Sequence, residues 1–279
     1  MFFAGRTLLI ATKHKKETVI APLLEKHLGV QCMVDPHLDT DLLGTFTGEV
    51  ERLDDPLETA RQKCLLGMER TGCDLAVASE GSFGPHPTIF FSHADDELLI
   101  LIDKKNEIEI IARFLTTDTN FNALEISTKK QLIDFAKAVR FPSHALIFKK
   151  SKNDFDGIEK GINSWRKLDE LYDRFMSYGP SFYVETDMRA MHNPSRMTFI
   201  EKVTEKLIAK ANALCPSCQI PGFGITAVRD GLPCELCQMP TRSTLSYIYE
   251  CNKCGYTQEE KYPHQKQVEE PTFCDHCNP

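Results

Sequence analysis

The chain has 279 residues, of which 42% are hydrophobic, and its formal net charge is −7 at pH 7. Its length allows one large domain or two ordinary ones, each with a real core. The acidic balance argues against a protein that binds nucleic acid through phosphate contacts. The apolar N-terminal run lacks a basic leader and a cleavage pattern, and no stretch approaches twenty apolar residues, so we expect a cytoplasmic protein without a membrane partner.

Strands and helices alternate over the first third of the chain. Apolar runs predict strands at 6–12, 30–34 and 74–79. Helical spacing of apolar residues predicts helices at 15–29 and 55–72, separated from the second strand by a polar loop. Gly29 and Gly72 suit the two helix ends, and Pro56 suits the first turn of the second helix. This order is typical of an α/β fold.

The middle of the chain continues the alternation. Three strands are predicted at 88–92, 97–103 and 107–114, the last two joined by a tight turn. Later strands are predicted at 144–150 and 181–186, and later helices at 127–140, 156–176 and 195–214. A purely parallel sheet would not contain the central hairpin. We therefore predict an α/β domain with a mixed sheet over residues 1–213.

The first strand leads directly into the turn "ATKHKKET", which precedes a helix. Free backbone N–H groups and the helix dipole favour an anion at such a turn. We therefore predict that Thr12, Lys13 and Lys16 bind phosphate. A solvated lysine cluster at a helix start is the alternative, since no Walker-type glycine loop is present.

A second candidate lies in "ASEGSFGPHP", directly after the strand at 74–79. Open α/β sheets bind ligands at the carboxyl ends of their strands, and we place Glu80 at such an end. A carboxylate there can hold Mg²⁺ or act as a base, so Glu80 is the candidate catalytic residue. A glycine-rich turn with a capping acid is the alternative.

These two stretches, in this order, resemble the inosine/xanthosine triphosphatase superfamily over roughly the first 115 residues. The resemblance rests on Thr12 and Lys16 in the first turn, on residues 58–63 of the second helix, and on Glu80. It implies that the turn grips a triphosphate while strand-end acids hold magnesium for attack by water. The chain departs from the pattern at Lys13, where the family has asparagine, and at Ser79, where many members have a second acid.

The whole chain also resembles a bacterial group of uncharacterised proteins that carry "DMRAMHNPSRM" followed by paired cysteines. Arg189 and Arg196 lie in this stretch, where a strand gives way to the last long helix. A helix start with two arginines suits an anion, so we predict that both residues bind phosphate. The alternative is that they pair with carboxylates such as Glu185 and Asp187.

Four Cys-x-x-Cys pairs fill the segment that we predict as a second domain, residues 214–279. Such pairs in a reducing compartment indicate metal binding rather than disulfides. Four thiolates close a tetrahedral zinc shell, so we expect two structural zinc ions in a double zinc-ribbon module. The predicted ligands are Cys215, Cys218, Cys234, Cys237, Cys251, Cys254, Cys274 and Cys277.

Sequence leaves the pairing of these cysteines open. The simplest arrangement joins the first pair to the second and the third to the fourth, since it closes the shorter loops. A cross-braced arrangement joins the first pair to the third and the second to the fourth.

Two classes of function follow. The first is a magnesium-dependent hydrolase, similar to a nucleoside triphosphate pyrophosphatase, that acts on a nucleotide or another phosphorylated small molecule. The second is a non-enzymatic adaptor whose zinc tail binds a protein partner. The tail carries three more acidic than basic side chains, and each Zn(Cys)4 centre adds two negative charges. A basic stripe for nucleic acid is therefore missing.

Overall fold

The computed structural model describes residues 1–38 and 55–279. These residues form two compact units. The α/β unit comprises Phe3–Ile208, and the zinc unit comprises Ala209–Pro279 together with Met1–Phe2. Most of the predicted polar loop, residues 39–54, lies outside the described residues.

A five-stranded mixed sheet forms the first half of the α/β unit. Its strands are β1 (Thr7–Ala11), β2 (Gln31–Met33), β3 (Leu75–Pro85), β4 (His93–Asp103) and β5 (Ile108–Thr116). The spatial order is β2-β1-β3-β4-β5. β1 pairs in parallel with β2 and β3, whereas β3, β4 and β5 form an antiparallel meander. The predicted mixed-sheet α/β fold is confirmed.

Two helices pack beside this sheet, α1 (Glu17–Leu28) and α2 (Pro56–Thr71). Asp55 caps α2 because its carboxylate accepts the backbone N–H groups of Leu57 and Glu58, at 2.8 and 3.2 Å. Gly72 ends the helix with φ 72°, a conformation that glycine adopts at low cost. The inner face of α2 shares a buried cluster with one face of the sheet, including Ala60, Cys64, Met68, Ala76, Ala78 and Leu98.

A second, antiparallel sheet completes the α/β unit, in the order β6-β9-β7-β8. Its strands are β6 (Ala123–Ile126), β7 (Leu146–Lys149), β8 (Glu159–Ile162) and β9 (Phe182–Thr186). The helices α3 (Lys129–Ala138) and α4 (Trp165–Met176) share one buried cluster with it, centred on Phe135, Phe148, Leu171, Phe175 and Phe182. The helix α5 (Pro194–Asn212) follows β9.

Two predicted elements are wrong. Residues 88–92 are not a strand, because β3 and β4 pair out to Pro85 and His93 and leave residues 86–92 as the hairpin turn. The His86 Nδ1 organises this turn by accepting the N–H of Ile89 at 3.1 Å. Residues 156–164 are not helical, because Gly157 and Gly161 have φ values of 70° and 71°. The helix begins only after Ser164, whose hydroxyl caps it.

The zinc unit contains a three-stranded antiparallel sheet. Its strands are β10 (Gly224–Asp230), β11 (Thr244–Glu250) and β12 (Thr257–Lys261), in that spatial order. Gly224 of β10 faces Glu250 of β11, and Asp230 faces Thr244. The four cysteine pairs lie in the segments that precede, join and follow these strands.

Candidate functional site

Two groups of four cysteines gather in the zinc unit. The first contains Cys215, Cys218, Cys251 and Cys254, and the second contains Cys234, Cys237, Cys274 and Cys277. Within each group, all four sulfur atoms lie within 4.8 Å of one another. The double zinc-ribbon module predicted from the sequence is confirmed.

The donor geometry fits zinc. The closest Sγ–Sγ contacts are 3.7 and 3.6 Å in the first group and 3.9 and 3.6 Å in the second. A zinc–sulfur bond of about 2.3 Å in a tetrahedron puts neighbouring sulfurs about 3.8 Å apart. Four thiolates would fill the shell of each ion, a donor set that is typical of structural zinc rather than catalytic zinc.

The same turn presents three of the four cysteine pairs. The backbone N–H groups of Gln219, Gln238 and Gly255 each donate to the carbonyl of the first cysteine of their pair, at 2.9 Å. These three residues have φ values of 60°, 63° and 71°. Each turn thereby folds back on itself and directs two sulfurs to one side.

The simplest pairing of the cysteines is wrong, and the structure has the cross-braced one. The reason lies in the sheet. The first pair precedes β10 and the third follows β11, and these two strand ends are neighbours because Gly224 faces Glu250. The second pair lies between β10 and β11, at the opposite end. The antiparallel register therefore separates pairs that are neighbours in sequence.

A second candidate site lies in the α/β unit, where six of the buried charged side chains are close enough for their charges to interact. We call this set the buried charge cluster; its members are Lys16, Lys63, Glu80, Asp95, Glu97 and Arg196. They come from the residue before α1 and from α2, β3, β4 and α5. Because charges are costly to bury without partners, the contacts within the cluster are informative.

Glu80 is not at the end of a strand, which corrects the prediction. β3 continues to Pro85, because Glu80, Gly81 and the following residues pair with β4. Glu80 follows Ala76 and Ala78 on the face covered by α2, and its carboxylate forms an ion pair with Lys63. The predicted catalytic carboxylate is therefore held by a lysine.

Lys16 points inward rather than towards solvent. Its Nζ donates to the Ser79 hydroxyl at 2.8 Å and lies 3.4 Å from the Ser79 carbonyl oxygen. Burial, together with the positive charges of Arg196 and Lys63, lowers the pKa of Lys16 to about 7, although the carboxylates of Glu97 and Glu80 act in the opposite direction. Thr12 is also buried, and its hydroxyl donates to the Lys13 carbonyl at 3.3 Å, while Lys13 itself is half-buried.

Arg196 is fully buried and forms an ion pair with Glu97, which has no exposed side-chain surface. Its Nη1 also donates to the Met188 carbonyl at 2.5 Å. Gly81 makes room for this pair. A Cβ built on Gly81 would overlap Arg196 Nη2 and lie 2.9 Å from Glu97 Oε1.

Asp95 lies two residues before Glu97 on β4 and on the same face of the sheet. Its side chain is only 1% exposed, and its Oδ1 has no hydrogen-bond partner among the described residues. Burial, together with the negative charge of Glu97, raises the pKa of Asp95 to about 8. A buried carboxylate oxygen without a donor calls for an explanation.

A cleft of ≈ 680 Å³ opens beside the buried charge cluster. Gly81, Phe83 and His93 contribute from the first sheet, and Lys149, Asp187 and Arg189 from the second sheet and the chain after it. Its volume falls in the range of small-molecule sites.

Arg189 is the predicted phosphate ligand that lines this cleft. Its Nη2 and Nε donate to the Asp187 carboxylate at 2.6 and 2.9 Å. Lys149 Nζ pairs with Glu185 at 2.8 Å. The alternative of pairing with a carboxylate is thus present for Arg189, which binds Asp187, whereas Arg196 pairs with Glu97 and not with Glu185 or Asp187. The structure therefore brings Lys16, Glu80 and Arg196 into one cluster and places Arg189 in the adjacent cleft.

Sequence reasoning missed Lys63, Asp95, Glu97 and Lys149. A signal for two of them was present, because "ADDELLILID" places acids at alternate positions at the start of an otherwise apolar strand. Alternate residues share a face of a sheet, and acids on a buried face are unusual.

The fold and these sites define an α/β protein with a cross-braced double zinc ribbon. The chain belongs to the family described as domain of unknown function DUF6671, whose model matches residues 63–279. No curated protein sequence matches the chain. Among the helices in the described parts of the chain, none is long and apolar enough to cross a membrane.

Proposed function

We propose that the α/β unit is a hydrolase that acts on a nucleotide or another phosphorylated small molecule with the help of a divalent cation. The observation that carries the proposal is the Asp95 carboxylate, which is buried beside Glu97 and has an oxygen without a partner among the described residues. A hard cation such as Mg²⁺ prefers oxygen ligands, and one or two carboxylates plus substrate phosphates are a common set.

The position of Glu97 supports the proposal. Glu97 and Arg196 lie directly behind Gly81, which lines the cleft. A substrate in the cleft would therefore bring its phosphate close to both residues. A bound cation would polarise the phosphoryl oxygens and stabilise the charge that develops on them.

The cleft also supplies positive charge for a phosphorylated ligand. Arg189, Lys149 and Lys152 line it, against the carboxylates of Glu185 and Asp187. The Asp187 carboxylate fixes the Arg189 guanidinium, and Asp187 itself accepts the Gly161 N–H at 3.0 Å. A guanidinium fixed in this way is ordered before a phosphate arrives. In this proposal Arg189 binds the substrate, and Glu80 holds Lys63 in place instead of acting in catalysis.

The test combines turnover with cation binding. Purified full-length protein is screened against nucleoside triphosphates and other phosphate esters with Mg²⁺ or Mn²⁺, and cation binding is measured by calorimetry. We expect Asp95→Asn and Glu97→Gln to remove both turnover and cation binding. Asp96→Asn is the matched control, because Asp96 lies between them but binds Arg113 on the other face of the sheet, with Nε–Oδ1 at 2.7 Å. No turnover and no cation binding by the wild type would refute the proposal.

A protein-binding adaptor is the second candidate, and the surface of the zinc unit favours it. Leu236, Met239 and Phe273 flank the second metal centre and are 71%, 50% and 60% exposed. Apolar side chains exposed together are typical of contact surfaces. The acidic charge of the tail favours a partner with a basic surface.

Site-specific photo-crosslinking in cells tests the adaptor. Photo-reactive residues at Leu236 and Phe273 should capture the same protein, while one at Lys261 on β12 should not. Equal capture at all three positions would contradict a specific surface.

A further inference from the structure

A serine–histidine pair lies apart from the cleft, at the start of α5. The His144 Nε2 is 2.9 Å from the Ser195 Oγ. Ser143 Oγ is 2.9 Å from the other ring nitrogen, Nδ1. Arg140 Nη1 donates to the Ser195 Oγ at 2.7 Å. A serine, a histidine in hydrogen-bond reach and a third group that orients the ring form the general pattern of an activated nucleophile.

The neighbouring hydrogen bonds determine which atom donates in each contact of this group. The Ser143 hydroxyl donates to the Arg140 carbonyl at 2.7 Å, so its single proton is already used. Ser143 must then accept the proton of His144 Nδ1. A neutral imidazole with its proton on Nδ1 has an acceptor lone pair on Nε2, which agrees with the long contact of 3.4 Å that the Ser195 backbone N–H donates to it. The Ser195 Oγ, which already accepts from Arg140, can donate its own proton to that lone pair.

The electrostatics agree with a neutral ring. His144 is buried, and burial together with the positive charge of Arg140 lowers the pKa of His144. The imidazole therefore remains a base at neutral pH.

The backbone at Arg140 gives independent support. Arg140 follows the C-terminus of α3 with φ 71°, where glycine is the usual residue. A non-glycine residue in this conformation costs free energy unless something compensates. Here the side chain connects three parts of the chain, because Nη1 binds Ser195 and Nη2 binds Asp118 at 2.8 Å.

We infer that Ser195 is a nucleophile for acyl transfer from a carboxylic ester, with His144 as its general base and Arg140 as the donor to the developing oxyanion. This activity goes beyond the proposed phosphate hydrolysis and uses different residues. Arg140 and Ser143 are exposed and Ser195 is half-buried, so the acyl group can approach from solvent.

The step balances within these residues and water. The Ser195 Oγ bonds to the acyl carbon while its proton moves to His144 Nε2, and the bond from that carbon to the alcohol oxygen breaks as this oxygen takes the proton. Water then attacks the acyl-serine by the same route and releases the acid and the free hydroxyl.

A fluorophosphonate probe tests the nucleophile without a known substrate. Attack by Ser195 forms an Oγ–P bond and expels fluoride, which peptide mass spectrometry locates at one residue. We expect labelling of Ser195 in the full-length protein, its loss in Ser195→Ala, and a decrease of about 100-fold in rate in His144→Gln. Ser181→Ala is the control, because Ser181 is a serine bound to Glu125 rather than to a histidine.

Arg140→Gln is a second variant for the case in which replacement of the buried His144 unfolds the protein. The Arg140 side chain is exposed but joins three parts of the chain, so we expect the variant to stay folded with a lower melting temperature and labelling to fall at least tenfold. Absence of probe on Ser195, or a rate that neither variant changes, would overturn the inference.

Discussion

At the scale of single residues, Gly81 has a clear steric role. It leaves the space that the buried Arg196 and Glu97 side chains fill. Gly84 lies three residues further along the same strand, and a Cβ there would meet nothing within 4 Å. The two glycines of "EGSFG" therefore differ in the space around their Cα atoms, a difference that the sequence alone does not show.

We expect Gly81→Ala to destabilise the protein by roughly 1–3 kcal/mol, the usual cost of overpacking, because the Arg196–Glu97 pair must move apart. Gly84→Ala should leave the free energy of unfolding unchanged within about 0.5 kcal/mol. Urea denaturation of both variants measures the difference. Equal stabilities for the two alanine variants would show that the pair is not confined against Gly81.

The protonation of Lys16 should affect how the free energy of unfolding depends on pH. The unfolded lysine titrates near 10.5 and the folded one near 7. Between these values the unfolded state binds more protons, so the free energy of unfolding rises with pH across this window. Below pH 7 the cost of the buried charge is fully present.

We expect Lys16→Met to flatten this rise between pH 7 and 10.5, since methionine does not titrate. The shift corresponds to roughly 5 kcal/mol as an upper value. Urea denaturation of both proteins at several pH values in this window measures it, and the other titrating groups cancel because both proteins contain them. Parallel stability curves would show that the pKa of Lys16 is not lowered in the folded protein.

At the scale of elements, local signals located most strands and helices of the α/β unit. Pro56 and Gly72 bound α2 as expected, and the meander of β4 and β5 lies where alternation and the turn placed it. β3 is longer than predicted, because its second half is stabilised by pairing with β4, a partner that local sequence does not reveal. Glu80 was misplaced for the same reason.

The cysteine pairing also depends on strand pairing that local sequence does not reveal. Loop lengths favoured the sequential arrangement, whereas the register between β10 and β11 decides which pairs meet. The ligands themselves followed from residue type and spacing alone, because four thiolates around zinc impose both. Asp95 and Glu97 could not be predicted as site residues, because only the fold shows that their face of β4 is buried.

Double cysteine variants distinguish the two pairings by zinc content. In the cross-braced arrangement, Cys218→Ser with Cys251→Ser damages one centre and should leave about one zinc per chain. Cys218→Ser with Cys237→Ser damages both centres and should leave almost none, because loss of a ligand weakens binding strongly. Metal analysis of freshly purified protein measures both, and the sequential arrangement would reverse the two results.

At the scale of the whole molecule, the chain combines two kinds of stabilisation. The α/β unit has extensive apolar clusters around its sheets. The zinc unit has few buried apolar side chains besides its cysteines, and most residues of β10 and β12 are exposed. Structural zinc contributes roughly 10–16 kcal/mol per site in zinc-finger peptides, so metal can replace the missing core.

We therefore expect chelation of zinc to unfold the zinc unit and leave the α/β unit folded. Hydrogen exchange followed by mass spectrometry should show loss of protection in residues 215–277 and little change in β1 and β3. Adding zinc back should restore the protection. Retained protection in residues 215–277 after metal analysis shows no zinc would refute the metal requirement.

The alternation of the cysteine pairs also bears on how the protein is made. As the chain leaves the ribosome, Cys215 and Cys218 appear first, but their partners Cys251 and Cys254 come only after the second pair has been synthesised. Neither centre can thus be completed before residue 254 has been synthesised. Until then the first two pairs offer four reduced thiols, and these can bind one ion in the wrong combination. An ion bound by the first two pairs must then exchange two of its ligands, and the pairing of β10 with β11 favours this exchange because it brings the correct cysteines together.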